Sequence, residues 1–489
     1  MSAGAPRASW SRAARTLVKR ALEGVVRGWT PRVDLPLSTW RLTRDADGAL
    51  ELGGRRLDGL FAQWGSPLYV VDEMRLRENA ARFTARPEGA AHGCEVFASY
   101  KTNPVPGVLR TLHECGLGAE VTSAWELWLA RRLGVAPERI IFNGPARTDE
   151  ALAEGIASNV GLINLNTRSE LVRADRVARQ LGRRARVGLR VVPPGGAGGQ
   201  FGERIDTGAA LEAFREALQQ PHLDVLGVHA HYNGRIDSAP QLSQFVGALL
   251  TFVDELQARL GLRVQILDVG GNLACPTVHT LSRRDLRLAQ TFAREPTPPP
   301  VDEVLSIDGY VEGLVRPVEA HFAALGQPPP RLFVEPGRAL MGNTQMLLCR
   351  VASVRDVDEA GVRWAILDAG INVAEPMTSE FHQLFALVEP RGPGRQLYRL
   401  TGPTCTQADC LYPAWRLPKL RPGDGLAIMD AGAYFVPSST CFSHARPGVV
   451  ALGDGAPRPL LRPETFEDLV SRDEPGAVLR ALHAVGGGP

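Results

Sequence analysis

Lysine is nearly missing from this chain of 489 residues: Lys19, Lys101 and Lys419 are the only three, so 52 of the 55 basic residues are arginine. Guanidinium serves wherever a solvated positive charge is enough, but it does not deprotonate in proteins and cannot act as a neutral amine nucleophile. A chemically essential lysine therefore has few places to be. A surplus of either charge is missing too. The 55 Lys+Arg face 53 Asp+Glu, a net of +2, and no global field invites nucleic acid. No uninterrupted apolar run approaches the roughly twenty residues that a membrane-spanning helix needs. Seven cysteines, odd in number and widely spaced, argue against a disulfide framework and for a reducing compartment, so a cytoplasmic location is expected. What is present, 44% hydrophobic and 22% charged residues, is globular composition with enough chain for two or three domains.

Residues 1–30 stand apart. Trp10, Ala14, Leu17, Val18, Ala21, Leu22, Val25 and Trp29 recur at helical spacing among Arg12, Arg15, Lys19, Arg20 and Arg27, which predicts a basic amphipathic helix. Such a helix commonly packs on its own protein. A membrane surface, an acidic partner and an organellar import role are the other readings. From residue 66 to 344, short apolar runs alternate with helical stretches such as Ala124–Leu133 and Leu242–Leu260. The strands expected are Leu68–Val71, Glu95–Ser99, Ile140–Phe142, Gly161–Asn164, Arg186–Val191, Val225–His229, Gln265–Val269 and Arg331–Val334. Eight strands alternating with helices over a span of this length predict a (β/α)8 barrel, with an open doubly wound sheet as the other architecture. The stretches Pro193–Gly202 and Pro296–Pro300 read as loops. From 345 to 489 the helical spacing fades, and Met346–Val354, Trp364–Leu367, Gly425–Met429 and Val449–Leu452 predict an all-β domain. Residues 31–65 have the same character and are expected to pair with it, giving an α/β barrel beside a β-domain built from both ends of the chain.

Lys101 lies in Phe97-Ala-Ser-Tyr-Lys-Thr-Asn-Pro104, directly after an expected barrel strand. Side chains at the C-terminal ends of barrel strands face the active-site mouth, where an amine can form a Schiff base with a carbonyl. A salt-bridged or solvated lysine is the commoner role in general. The rarity of the residue here and its place at a strand end favour chemistry. Leu267-Asp-Val-Gly-Gly-Asn272 follows another strand; its paired glycines let backbone N–H groups approach a phosphate, although most such turns bind nothing. Phe333-Val-Glu-Pro-Gly-Arg338 ends the last strand with a carboxylate and a guanidinium, which suit a cationic ring nitrogen and an anion, or simply one another. His229 and His231 share a strand face; metal binding lacks a third ligand of suitable spacing, and stacking on a planar cofactor is equally allowed. Cys405 and Cys410 are not spaced as a redox pair, so a single cysteine as proton donor fits better. Tyr434 offers a hydroxyl among small residues.

Taken in order, these motifs resemble the fold-type III pyridoxal-phosphate decarboxylases, the diaminopimelate and ornithine decarboxylase group, over roughly residues 35 to 455. The resemblance implies a (β/α)8 barrel with a second β-domain and pyridoxal 5'-phosphate as cofactor. It implies that Lys101 holds the cofactor and exchanges it for the amine of a small amino-acid substrate. By the same matches Glu120, in Ala119-Glu-Val-Thr-Ser-Ala-Trp-Glu126, is a cofactor-proximal acid, and His231 stacks on the pyridine ring. Gly270 and Gly271 form the phosphate loop. Glu335, Gly337 and Arg338 belong to the Glu-Pro-Gly-Arg motif, with Glu335 facing the ring nitrogen and Arg338 near cofactor and substrate. Gly402-Pro-Thr-Cys405, Thr406 and Asp409 match the segment a partner subunit contributes, with Cys405 as the proton donor, and Tyr434 matches a tyrosine near phosphate and substrate. A homodimer with shared active sites follows from the family pattern.

Departures from that pattern bear on the substrate. Cys405-Thr406-Gln407 stands where diaminopimelate decarboxylases usually have Cys-Glu-Ser, so the glutamate that reads the distal centre is missing. Glu375-Pro-Met-Thr-Ser379 stands where they carry Arg-Pro-Ala-Leu-Tyr, and a glutamate there would repel a distal carboxylate. Asn272 replaces a third glycine, and Asn233-Gly234 replaces Gly-Ser. The expectation is therefore a specialised biosynthetic decarboxylase, acting on a free or carrier-tethered substrate, with residues 1–30 docking an acidic carrier protein. The alternatives are diaminopimelate decarboxylase, an amino-acid racemase, which typically sets an arginine where Glu335 stands, and a non-catalytic binding homologue, which usually loses the lysine. No metal, nucleic acid or transmembrane segment is expected.

Overall fold

The computed structural model describes residues 34–196, 199–358, 361–389 and 394–472. The expected basic helix of residues 1–30, with Lys19, lies outside the described residues. Eight parallel strands close into a barrel: Cys94–Ser99, Gly118–Val121, Ile140–Phe142, Leu162–Leu165, Ala185–Val192, Leu223–Ala230, Ile266–Asp268 and Arg331–Val334. Closure is completed where Val334 pairs with Val96 and where Ile163 pairs with Val187. The strands are short and buried, as strands covered by helices outside and side chains inside must be. Phe97, Ile141, Leu162, Leu226, Ile266 and Phe333 fill the interior as a separate apolar cluster, with the Phe97 and Phe333 ring centroids 4.7 Å apart. The barrel is plugged. Only the C-terminal ends of the strands are left to form a site.

Helices return the chain between strands, and their starts are written locally. Ser123, Thr148, Thr167 and Ser306 each accept a backbone N–H from the first turn of Ala124–Arg132, Asp149–Ala157, Arg168–Gln180 and Ile307–Ala324 respectively. Among the described residues no helix is long and apolar enough to cross a membrane.

One expected barrel strand belongs elsewhere. Leu68–Asp72 lies in the second sheet, antiparallel to Gln345–Arg355 and parallel to Gly448–Leu452, and the barrel strand that was not expected is Gly118–Val121, the second in order. All five residues of Leu68–Asp72 are buried, and an unbroken apolar run suits the centre of either sheet, so periodicity could not choose between them. The segment before it also behaves differently from expectation. Leu42–Arg44, Leu50–Leu52 and Arg55–Arg56 form a three-stranded sheet of their own, tied to the β-domain by the Ala49–Val388 bridge and by Leu50 N–H donating to Leu387 O at 2.6 Å. The β-domain sheet also contains Arg363–Leu367, Leu384–Ala386, Arg395–Thr401, Cys410–Pro418, Gly425–Ile428 and Arg458–Leu461.

Gln345–Arg355 is the hinge of this second sheet, because Leu347 is paired with Tyr69 on one side and Ile428 on the other. Leu347 is fully buried. Leu347→Ala is expected to cost about 2–5 kcal/mol, since neighbours paired on both sides cannot collapse into the space. Urea unfolding of the variant and the parent measures it.

Candidate active site

The C-terminal ends of six barrel strands meet in one hydrogen-bonded network. Lys101, just past the first strand, donates from Nζ to Ser99 Oγ at 2.8 Å and to Glu120 Oε2 at 2.5 Å. Glu120 is on the second strand and fully buried, while the Lys101 side chain remains 41% exposed to the cavity. Asn143, after the third strand, donates to Glu120 Oε1 at 3.0 Å and to Glu335 Oε1 at 2.7 Å. Asn164, on the fourth, donates to Asn143 Oδ1 and to Asp268 Oδ2, both at 2.9 Å. Asp268, on the seventh, accepts the N–H of Gly270 at 3.0 Å, and Gly270 O accepts the N–H of Glu335 at 2.8 Å. His229 Nε2 stands 3.8 Å from Glu335 Oε2.

Three carboxyls thus share a space nearly closed to water, and their protonation separates accordingly. Burial works against the Glu120 carboxylate, but Lys101 and the bonds from Lys101, Ser99 and Asn143 outweigh it and hold its pKa below the usual range. Burial, with Asp268 and Glu120 nearby, pushes Glu335 well up. Burial likewise raises Asp268, to about 6. Burial opposes the Lys101 ammonium, yet Glu120 and Glu335 more than offset it, so its pKa lies above the ordinary lysine value. Burial and the nearby Arg190 and Lys101 cations lower His231 to about 4, so its imidazole is neutral at physiological pH.

A cavity of about 370 Å³ opens onto Lys101 and is also lined by His231, Arg235, Glu335, Gly337, Arg338, Glu380 and Tyr434. Gly270 has φ +66, and a Cβ there would stand 2.5 Å from His231 Nδ1; a Cβ on Gly271 would stand 2.5 Å from Glu335 O. Only glycine lets the backbone run this close to the imidazole and to the Glu335 backbone carbonyl. Gly271 donates its N–H to His231 Nδ1 at 3.2 Å, which fixes the ring plane over the cavity. The Arg338 guanidinium carbon lies 5.1 Å from the Tyr434 ring centroid. Tyr434 itself is held in a left-handed conformation, φ 69, by its N–H donating to Thr102 O at 2.9 Å. These groups fit a flat anionic cofactor that carries an aldehyde: an amine, a face of imidazole, a carboxyl at one end, and glycines with a guanidinium at the other.

The cavity therefore gathers Lys101, His231, Glu335, Gly337, Arg338 and Tyr434, with Glu120, Gly270 and Gly271 immediately behind them. It does not gather Glu375, Cys405, Thr406 or Asp409 within one chain. Cys405 and Thr406 are exposed. Asp409 is buried and spends its oxygens on its own chain, accepting the N–H of Ile371 at 2.9 Å and the N–H and hydroxyl of Thr404 at 2.8 and 2.5 Å. Glu375 is exposed on a short turn. Beside Glu335, the cavity is lined by a second acid, Glu380, five residues beyond Glu375, which sequence reasoning missed. Ser99, Asn143, Asn164, Asp268, Arg190 and Arg235 were missed as well, although Asn143, Asn164, Asp268 and Arg190 all sit at strand ends, where a barrel keeps its chemistry. His229, His231 and Glu335 bring nitrogen and oxygen atoms within 4.8 Å of one another, so Glu335 supplies in space the third donor that spacing along the sequence lacked.

The raised Glu335 pKa has a sign that can be tested. A carboxyl that holds its proton longer in the folded state makes stability fall as pH rises from its unfolded value toward its folded one. Glu335→Gln keeps an acceptor for Asn143 and removes the charge. Without cofactor, the variant is expected to match the parent near pH 4 and to become the more stable as pH rises to 8, which thermal unfolding across that range measures.

Comparisons with known proteins bear on the family and the fold. Residues 80–342 match the family model described as pyridoxal-dependent decarboxylase, pyridoxal binding domain. The diaminopimelate decarboxylase of Methanothermobacter thermautotrophicus is 29% identical over 436 residues, 86% of this chain and 95% of that protein. That of Methanocaldococcus jannaschii is 26% identical over 448 residues, 87% and 95% of the two chains. The crystal structure of diaminopimelate decarboxylase from M. jannaschii superposes with TM-score 0.78 at 24% identity, over 90% of this chain and 98% of that one. A lysine/ornithine decarboxylase from Vibrio vulnificus, complexed with putrescine, superposes with TM-score 0.65 at 19% identity, over 82% and 98%. Its pyridoxal-binding domain, closed barrel and separate β-sheet domain together place this chain in the pyridoxal-phosphate-dependent decarboxylases of fold type III.

Proposed function

We propose that the chain removes CO2 from an amino acid of the diaminopimelate type, one that carries a second polar head at its far end. The observation that carries this is the pair of guanidinia, Arg235 and Arg338, in the same cavity as Lys101. The curated relatives named above, all diaminopimelate decarboxylases, support the same reading over the specialised biosynthetic role expected from sequence. That expectation leaned on Glu375 as a group repelling a distal carboxylate, and Glu375 is exposed and absent from the cavity wall.

Pyridoxal phosphate supplies the electron sink that accepts the pair left behind when CO2 departs. The chain's own groups do the rest. Lys101 must lose a proton before its amine can attack; until then Glu120 Oε2, 2.5 Å away, pairs with its ammonium and holds it at the cavity. Glu335, whose pKa is raised by burial and by Asp268 and Glu120, would hold a proton facing the cofactor's ring nitrogen. Neutral His231 offers a flat face without adding charge. Gly270, Gly271, Gly337 and Tyr434 would surround the anionic end, with Arg338, joined to Glu380, beside it. Cys405 faces solvent in the single chain, which suits a proton donor presented to the cavity of a second copy. The homodimer is part of this reading.

Release of CO2 from meso-diaminopimelate, lysine, ornithine and arginine tests the proposal. Diaminopimelate is expected to be turned over fastest. Lys101→Ala is expected to lower turnover by at least about 10²-fold and to abolish the visible band of protein-bound cofactor. Turnover of ornithine or arginine with diaminopimelate inert would overturn the substrate assignment.

A further inference from the structure

Glu380 sits where no sequence motif pointed. Arg338 grips its carboxylate with both terminal nitrogens, each at 2.8 Å, and Arg235 approaches the same carboxylate at 3.4 Å. His382 Nε2 stands 3.5 Å from its other oxygen. The carboxyl is charged in this company: burial raises its pKa, but His382, Arg338 and Arg235 together bring it below the usual range. Its backbone is pinned, with Glu380 N–H donating to Pro376 O at 2.9 Å and Tyr412 hydroxyl donating to Glu380 O at 3.2 Å. Arg235 is braced by Val278 O at 2.7 Å and Thr280 Oγ1 at 2.8 Å. The three charged side chains keep 12–26% of their surface, and all three line the cavity that holds Lys101. An ion pair whose task was only to join two elements would have no need to face that cavity or to recruit a second guanidinium.

We propose that Glu380 is a specificity-determining residue: set between Arg338 and Arg235, it is the carboxylate that receives the far ammonium of the substrate, while the guanidinia receive the far carboxylate. The inference rests on the diaminopimelate-type reading and says how one chain recognises the far head. Such a head is a zwitterion. When it enters, its carboxylate takes guanidinium donors from Glu380, and its ammonium takes the oxygen set free, so every charge in the triad keeps an opposite partner. A far amine alone would add a cation beside two guanidinia. A far carboxylate alone would press a second anion against Glu380. Either leaves a partly buried charge poorly matched, which is costly. The other acids offered by the sequence do not compete, since Asp409 is committed to Thr404 and Ile371 and positions 405–407 carry no carboxylate.

The test uses the full-length, cofactor-loaded enzyme and three substrates: meso-diaminopimelate, 2-aminopimelate, which lacks the far amine, and lysine, which lacks the far carboxylate. The parent is expected to prefer diaminopimelate over both. Glu380→Gln should lower kcat/KM for diaminopimelate by about 10²-fold while changing 2-aminopimelate by no more than about threefold. Arg235→Gln, which leaves Glu380 in the grip of Arg338, should instead erode the preference for diaminopimelate over lysine; it carries the test if Glu380→Gln does not fold. A parent that decarboxylates diaminopimelate, with ratios unmoved by either variant or all three substrates lowered alike, would leave the functional reading standing and overturn this one. A parent inert toward diaminopimelate would overturn both.

Discussion

Three carboxyl groups have to coexist at the C-terminal end of one barrel, and most of the structure around them follows from that constraint. Glu120, Asp268 and Glu335 are all nearly or fully buried; the amides of Asn143 and Asn164 join them, and Asp268 and Glu335 also meet through the Gly270 backbone. Two unit charges about 4 Å apart repel by roughly 4 kcal/mol even at an effective dielectric constant of 20. Three cannot all be ionised there. One is therefore paired, Glu120 with Lys101, and the other two hold their protons to higher pH. The amide side chains solve the remaining problem, because each donates to the acids it joins and carries no charge of its own. Since the participants come from strands one, two, three, four, seven and eight, the network exists only when the barrel is closed.

The second sheet completes the mouth. Asn103, two residues beyond Lys101, donates to Gln345 Oε1 at 3.0 Å and Gly432 O at 3.2 Å, which ties the lysine turn to the β-domain. Gly432 runs so close to the turn after the last barrel strand that a Cβ would meet Met341 O at 1.8 Å. That close approach is what brings Tyr434 over Arg338. Glu380 arrives from the same domain by a different route, through the segment between Glu375–Thr378 and Leu384–Ala386. The barrel thus supplies the amine and the acids, and the β-domain supplies the groups that face outward across the cavity.

Much of this was legible in the sequence, and the gaps have physical reasons. The barrel could be read from alternating runs, and Lys101 from its rarity and its place at a strand end. Leu68–Asp72 was misassigned because a central strand is uniformly apolar in any sheet, and nothing local says which neighbours it will have. Asn143 and Asn164 were passed over because an isolated asparagine is ordinarily a turn residue, and its value here lies in contacts across 21 and 192 positions. Glu375 drew attention as the residue standing in a motif. Glu380 was invisible because its partner, Arg338, is 42 residues away and belongs to a motif with roles of its own. Pairings of that span are set by the fold alone.

The scarcity of lysine gains meaning against this background. The cavity wall and its rear contain one lysine and the three arginines Arg190, Arg235 and Arg338. Lys101 must give up a proton before its amine can react, which no guanidinium can do. Arg338 must hold a carboxylate through two parallel bonds, which no ammonium can do with the same geometry. The Arg190 guanidinium carbon stands over the Phe201 ring, 4.4 Å from its centroid, where a planar cation is better accommodated than a compact one. Positive charge in this site is therefore divided by chemistry, with the transferable proton at a single amine and the fixed charges at the guanidinia. A chain that carries arginine at 52 of its 55 basic positions keeps an amine where the proton has to leave.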